Sequence, residues 1–301
     1  NQNIRTVEKV STVDFVSRAD IGKSLSELGI AKGDMVIVHS SFKSLGNVDG
    51  GAETVIGGFF DVIGDEGTLV MPTFVQKDFE HAYETWHIDK DSDTGYLTNY
   101  FRKRKGSIRS DQATHSVAAS GRLAGWLTET HGHTCKRYGN MGDTPFSADS
   151  PWEKMYQSDA KIVLLGVGMI YTTFRHYAEY VYIEKCLKRL ENTDEYENMK
   201  KKLCGYNKPG AWPHVCNEWV GEKMEEKGLV KKSRCKNAAL TSFSSREFVD
   251  LVLQYLTTRE PGVLWEANDT WIPKWNEWIK EFDEITNKNK DIRSLPLDLS
   301  V

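Results

Sequence analysis

Apolar positions along the chain switch between two spacings, and the switches mark its elements. Across Ala19–Ile30 the residues Ile21, Leu25 and Leu28 recur at helical intervals, which predicts an amphipathic helix. Gly33-Asp34 then turns the chain into Met35-Val36-Ile37-Val38-His39, read as a strand. A polar, glycine-rich stretch follows from Ser40 to Gly51, then a helix over Glu53–Ile63 that Gly64-Asp65-Glu66-Gly67 stops. Thr68-Leu69-Val70-Met71 is a second strand, ended by Pro72. Strand, loop, helix, turn and strand in that order make a βαβ unit. The pattern recurs as a helix at Trp152–Gln157, a strand at Lys161–Leu165, a turn at Gly166-Val167-Gly168 and a helix at Thr172–Cys186. Arg246–Leu256 is again an amphipathic helix. Short, uniformly apolar strands bracketed by glycines suit a sheet buried on both faces. The expectation is an α/β fold, a three-layer αβα arrangement around a largely parallel sheet.

From about Lys185 to Asn237 charges dominate, with Trp212, Pro213 and Trp219 among them. That change predicts an insertion or cap at 185–237 over one end of the sheet, within a single domain spanning 1–301. The last forty residues carry Trp265, Trp271, Trp275 and Trp278, a peripheral wrap whose indoles cover the core.

Charge narrows the functional classes. The 39 Lys+Arg and 43 Asp+Glu of these 301 residues leave a net charge of −4, which argues against a nucleic-acid partner. No apolar run approaches the ~18 residues of a membrane span, and Asn1-Gln2-Asn3-Ile4-Arg5 opens no secretory signal, so a cytoplasmic, membrane-free protein is expected. The 5 cysteines are odd in number and irregularly spaced, which points to reduced thiols. Cys204, His214, Cys216 and Cys235 contain no C-x-x-C spacing, so no metal is expected. Monomer and homodimer are both open.

Four stretches carry candidate chemistry. The loop after Met35–His39 offers glycines for close backbone approach and the hydroxyls of Ser40, Ser41 and Ser44, at the carboxyl end of a strand where open α/β sheets bind ligands. It is neither a Walker A loop nor GxGxxG, and an ordinary surface loop has the same composition. His176 and Glu179 share a helix face at i and i+3, so the carboxylate can orient the imidazole for proton transfer; an exposed ion pair has the same spacing. In Arg109–Gly121 small residues follow a polar run and suit a tight helix entry whose free N–H groups attract anions, or an ordinary helix cap. Lys77–Asp93 combines Asp78, Glu80, Glu84, Asp89, Asp91 and Asp93 with Phe79, Tyr83 and Trp86, a negative ring-lined loop able to draw in a cation, or solvated surface. There is no Gly-x-Ser-x-Gly elbow, which excludes the usual serine hydrolase.

In this order the stretches resemble the aminoglycoside 3-N-acetyltransferase family, which uses acetyl-coenzyme A. Val36–Gly46 through Gly50-Gly51-Ala52-Glu53-Thr54 to Gly67-Thr68-Leu69-Val70-Met71-Pro72-Thr73 is similar to its coenzyme segment. Arg109-Ser110 with Thr114-His115-Ser116-Val117-Ala118-Ala119 and Gly121 resembles its central motif. Ser150-Pro151-Trp152, Leu164–Gly168, Thr173, His176 and Glu179 resemble the segment bearing its catalytic histidine. Together they span about Gly22 to Leu256. Two departures stand out: Asp111-Gln112 replaces a usual His-Pro, and Met169-Ile170-Tyr171-Thr172 replaces a polar run. Both bear on the acceptor more than on the chemistry.

The resemblance implies a fold other than the common GNAT one and direct acetyl transfer from acetyl-coenzyme A to a primary amine of an aminoglycoside or related amino sugar. His176 would be the general base, with Glu179 and a more distant acid, matched to Glu218, beside it. The coenzyme would lie on His39, Ser40, Ser41, Phe42, Lys43, Ser44, Leu45 and Gly46, with Thr73, Arg109, Ser110, His115 and Ser116 contributing. Hydroxyls such as Thr73 or Ser116 would support the oxyanion. Asp78, Glu80, Tyr83, Trp86 and Tyr171 would face the acceptor. The competing readings are an acyltransferase for an endogenous amino sugar and a non-catalytic coenzyme-binding module.

Overall fold

The computed structural model describes residues 14–77, 81–131, 145–203, 210–266, 271–295 and 297–299. Asp78, Glu80, Cys135 and Cys204 lie outside them. In chain order the elements are α1 (Arg18–Glu27), β1 (Met35–Ser40), α2 (Gly51–Ile63), β2 (Thr68–Pro72), α3 (Ala82–Thr85), α4 (Tyr96–Lys103), β3 (Ile108–Arg109), β4 (Val117–Gly121) and α5 (Ala124–Thr128). Then come α6 (Pro151–Gln157), β5 (Lys161–Leu165), α7 (Phe174–Arg189), α8 (Tyr196–Lys202), α9 (Asn217–Glu226), β6 (Lys231–Cys235), β7 (Ala238–Ser244), α10 (Ser245–Thr258), α11 (Trp271–Lys288) and α12 (Lys290–Arg293). Local chemistry sets several boundaries. Ser17 and Asp20 form a reciprocal capping box on α1, Ser150 caps α6 ahead of Pro151, and Ser244 caps α10.

The strands form one sheet in the order β3-β4-β2-β1-β5-β7-β6. Its three central strands are buried on both faces, and successive residues alternate between two cores. Ile37, Val70, Ile162 and Leu164 enter one core with α6, α7 and α10, while Val36, Val38, Leu69, Met71, Val163 and Leu165 enter the other with α1, α2 and α4. This is the three-layer α/β arrangement the apolar runs imply.

Two expectations are corrected. The sheet is mixed rather than largely parallel: only β1 with β2 and β1 with β5 pair in parallel, while β2–β4, β3–β4, β5–β7 and β6–β7 are antiparallel. The outer pairs escape an apolar-pattern reading because β6, Lys231-Lys232-Ser233-Arg234-Cys235, is a charged edge strand, and charge discourages edge-to-edge association. It joins β7 through Lys236-Asn237, with Lys236 at φ 51°. The second correction concerns Val117–Gly121, expected to open a helix. It is a strand whose small side chains alternate between the cores, Val117 and Ala119 on one face and Ala118 on the other. Tertiary burial overrides the helical preference of alanine here.

Residues 185–237 contain the end of α7, α8, α9 and the edge strand β6. On α11, Trp275 and Trp278 are buried and stack at 5.1 Å, and the Trp278 indole donates to the Met199 carbonyl.

The topology places a crevice. From the carboxyl end of β1 the chain passes through α2 to β2 on one side, and from that of its parallel neighbour β5 it passes through α7 toward β7 on the other, so it leaves these two adjacent strands in opposite directions. Ligands of open α/β sheets bind outside the carboxyl ends of the strands at such a reversal.

Candidate active site

At that reversal lies a cavity of about 640 Å³. Its floor and one wall come from residues 39–43, at the end of β1 and just beyond it, and 94–98 at the start of α4. Phe74, Asp93 and His115 close a second side, and Ile170, Tyr171, Thr172, Thr173, Arg175 and His176 form the third. The loop after β1 is held by Gly166, which follows β5 at φ 66°; a Cβ there would collide with the Ser44 side chain. The Ser44 hydroxyl in turn donates to the Ser41 carbonyl at 2.6 Å.

His176 lies in the first turn of α7, its side chain 28% exposed, and its Nδ1 is 2.8 Å from Glu179 Oε2. Glu179 is completely buried. Its Oε2 also accepts from the Trp212 indole N–H at 2.9 Å, and its Oε1 accepts from the Val215 backbone N–H at 2.8 Å. A carboxylate holding three donors accepts from Nδ1–H of the imidazole, which leaves the lone pair on Nε2. Burial pushes the His176 ring below its ordinary value, and the Glu179 charge opposes that shift. Burial alone would raise Glu179, but His176, Arg175 and the Val215 N–H overcome it and hold the carboxyl below the usual range.

Aromatic rings pack around this corner. His115 stacks edge-on to Phe74 at 4.9 Å and lies 5.8 Å from the His176 ring, with Phe146 4.9 Å from His115 and 5.9 Å from His176. Burial, then the neighbouring His176 and His131, holds His115 well below its ordinary value, so it is neutral. Its Nδ1 lies 2.9 Å from the Thr114 hydroxyl. His39 is likewise neutral, burial bringing it down to about 4.

The structure brings together His39, Ser40, Ser41, Phe42, Lys43, His115, Tyr171 and His176 in the cavity lining, with Glu179 directly behind His176. Ser44 and Leu45 lie beneath the loop and brace it, Leu45 at 2% exposure, and Gly46 turns it at φ 72°. Others are placed elsewhere. Arg109 donates to the carbonyls of Thr73, Ile88 and Lys90 and stacks on Trp86 at 4.7 Å, so its guanidinium clamps the 86–90 segment. The Thr73 and Ser116 hydroxyls are 2.7 Å apart, fully buried, and bonded to Arg109 Nε. Ser110 accepts from the Val117 N–H. These four lie behind the cavity wall. Tyr83 and Trp86 line a separate, shallower pocket with Asp111, to which Trp86 donates. Asp78 and Glu80 are outside the described residues.

The acidic partner of His176 is Glu179; Glu218, on the first turn of α9, does not line the cavity. Its neighbour Asn217, which the sequence reading passed over, is fully buried and donates to the Thr172 and Ile170 carbonyls at 3.0 and 3.3 Å, fixing the turn that leads into α7. Trp212, marked in the sequence only as part of the cap, and Val215, not marked at all, join the site because the folded chain carries them to Glu179. Among the described residues no cluster of His, Cys, Asp or Glu is suited to hold a metal ion.

Related sequences and folds are known. The chain is 32% identical over 182 residues to aminoglycoside N(3)-acetyltransferase VII of Streptomyces paromomycinus, covering 54% of this chain and 60% of that one. It is 31% identical over 266 residues, 81% of this chain and 93% of the other, to the SPbeta prophage-derived aminoglycoside N(3')-acetyltransferase-like protein YokD of Bacillus subtilis strain 168. The chain thus spans about three fifths of the length of the first of these relatives. Crystal structures with the same fold include YokD, with a TM-score of 0.62 at 22% identity over 83% of this chain and 98% of that one. AAC-IIIb in a binary complex with CoASH gives 0.62 at 16% identity, over 85% and 100%. The sequence model of the aminoglycoside 3-N-acetyltransferase family matches residues 37–257, which takes in β1, the cavity, α7 and α10, and the chain therefore belongs to that family.

Proposed function

We propose that this protein transfers an acetyl group from acetyl-coenzyme A to a primary amine of an aminoglycoside or related amino sugar, with His176 as general base. The observation that carries this reading is the imidazole in the cavity wall, tied through Nδ1 to a buried carboxylate with three donors. Several features fit a coenzyme in the cleft. Lys43 and Arg175 supply positive charge, Ser40, Ser41, Thr94 and Thr98 supply hydroxyls, and Gly95 precedes the first residue of α4 with no side chain capping the helix. The bound coenzyme supplies an activated thioester: the amine nitrogen attacks its carbonyl carbon, the C–N bond forms and the C–S bond breaks.

The protein's part is proton handling and positioning. His176 Nε2 takes the proton that the amine loses and returns it to the departing sulfur. Glu179 keeps the ring in the tautomer with Nε2 unprotonated and stabilises the transient imidazolium. Asn217 holds the 170–172 backbone, and with it the first turn of α7, in place. With acetyl-coenzyme A and a panel of aminoglycosides, thiol release is expected from the wild type. His176→Ala is expected to lower kcat by ~10²–10⁴-fold; wild-type kcat in that variant excludes the assignment. Coenzyme binding without turnover on any amine would favour a non-catalytic module.

One observation favours a second acceptor class. Ile170 and Tyr171, 46% and 60% exposed, present an apolar edge to the cavity. Such an edge suits an amino sugar with an apolar face, including one attached to a nucleotide. Better turnover of nucleotide-linked amino sugars than of antibiotics would select that reading.

A further inference from the structure

One ionised group in the cavity wall is consumed neither by the fold nor by the proton-transfer pair. Arg175 directly precedes the base on the first turn of α7, is half-buried, and lines the cavity. Among the described residues its guanidinium makes one hydrogen bond, to the Val215 carbonyl at 3.3 Å, and no ion pair. The N–H of that same Val215 is bonded to Glu179, so the cation is anchored beside the catalytic pair. Most of its N–H donors are left for a ligand. Holding a guanidinium half out of water without a counter-ion costs solvation that a bound oxyanion returns.

The rest of the lining has the same bias. Its described residues set Lys43 and Arg175 against one carboxylate, Asp93, whose Oδ2 accepts from the Gln76 and Lys77 N–H groups at 2.7 Å each. His39, His115 and His176 are all lowered by burial and add no charge at neutral pH. Such a lining repels an acceptor with several ammonium groups and attracts one that carries an oxyanion. The coenzyme's phosphates feel the same field, but the pantetheine arm separates them from the sulfur. With the thioester at His176 they lie an arm's length away, whereas Arg175 is the base's own neighbour.

We propose that the Arg175 guanidinium binds an oxyanion of the acceptor, a carboxylate or a phosphate, so that an anionic amino sugar is acetylated in preference to a polyammonium one. This rests on the transfer reading given above and narrows its acceptor. The planar fork holds the oxyanion through parallel N–H groups and leaves the amine free to face His176 Nε2.

The test measures thiol release from acetyl-coenzyme A with acceptors built on one hexosamine: the unsubstituted sugar, its phosphate monoester, its uronic acid and its nucleotide-linked form, with an aminoglycoside beside them. The wild type is expected to favour an anionic member over the unsubstituted sugar and the aminoglycoside by about tenfold or more in kcat/KM. A phosphorylated or nucleotide-linked sugar in the lead assigns a phosphate; the uronic acid in the lead assigns a carboxylate. Arg175→Gln, which keeps a donor for the Val215 carbonyl, is expected to cut the anionic-to-unsubstituted ratio by ~10–100-fold through the KM of the anionic acceptor, and Arg175→Lys to recover part of it. A wild type that prefers the aminoglycoside, or has no preference, overturns the proposal without any variant having to fold. So does an Arg175→Gln enzyme that keeps the ratio: a fall in coenzyme affinity by calorimetry would then give Arg175 to the coenzyme, and an equal change of kcat for every acceptor would give it to the base. If the wild type acetylates none of these amines, transfer is the reading that fails. Calorimetric binding of the anionic and unsubstituted sugars to the coenzyme-loaded protein, wild type against Arg175→Gln, still decides the role of Arg175.

Discussion

Replacing Glu179 by glutamine tests the His176 pair most directly, because shape is kept while charge and one acceptor are lost. The carboxylate accepts from His176 Nδ1 at 2.8 Å and Trp212 Nε1 at 2.9 Å through Oε2, and from the Val215 N–H at 2.8 Å through Oε1. If the amide oxygen takes the Oε2 position, its NH2 confronts the Val215 N–H. If it takes the Oε1 position, the NH2 confronts the Trp212 N–H and donates to Nδ1, which forces the ring proton onto Nε2. Either orientation leaves at least one buried donor unpaired, at a cost of about 1–3 kcal/mol. A chain of this size should then lose roughly 2–6 °C in Tm. The catalytic loss should be larger, ~10²–10⁴-fold in kcat, since Nε2 is either protonated already or without a counter-charge as it gains a proton. Thiol release from acetyl-coenzyme A at saturating amine reads kcat, and a scan of kcat/KM against pH reads the base. Burial already places His176 below its ordinary value, and Glu179 pulls the other way, so the acid limb lies low in the wild type and should move lower in the variant. A kcat within about threefold of wild type, less than 1 kcal/mol of barrier, would refute the proposed role. So would an acid limb that moves upward.

Two further outcomes follow from the same wall. Burial holds the native His39 near pH 4 against an ordinary 6.5, and His115 and His176 are lowered too. In that window the unfolded chain binds protons that the native chain does not. Stability is therefore complete above about pH 6.5 and falls on acidification, by roughly 2 kcal/mol for His39 alone by pH 5. Urea unfolding at about pH 7.5 and about pH 5 checks the sign, and a chain more stable at the lower pH contradicts it. Gly166→Ala should both strain a residue at φ 66° and push Ser44 from beneath the loop after β1. The expected result is a loss of ~1–2 kcal/mol in stability with a raised KM for acetyl-coenzyme A; an unchanged KM would mean that the loop does not hold the coenzyme.

The sequence alone determined the parts of this protein that depend on local periodicity and short spacing. Short apolar runs at 35–38, 69–71 and 162–165, β-branched and bracketed by turn residues, read as strands covered on both faces, and those strands are the centre of the sheet. The i, i+3 spacing of His176 and Glu179 was enough to put both groups on one helix face, because a helix fixes that geometry without outside help. Strand direction was another matter. Charged β6 and small-residue β4 carry no strand signature of their own, and their antiparallel pairing arises from neighbours far along the chain. The environment of Glu179 was equally hidden. Trp212 and Val215 lie 33 and 36 residues away from it, and only packing of that segment against α7 turns a spacing that also describes an exposed ion pair into a fully buried carboxylate. Arg109, Thr73 and Ser116 show the converse. Their residue types suit anion binding, yet the fold uses their hydrogen bonds to brace the wall behind the cavity. Residue type states what a side chain can bond to, whereas tertiary structure decides which partners reach it and whether water remains to compete.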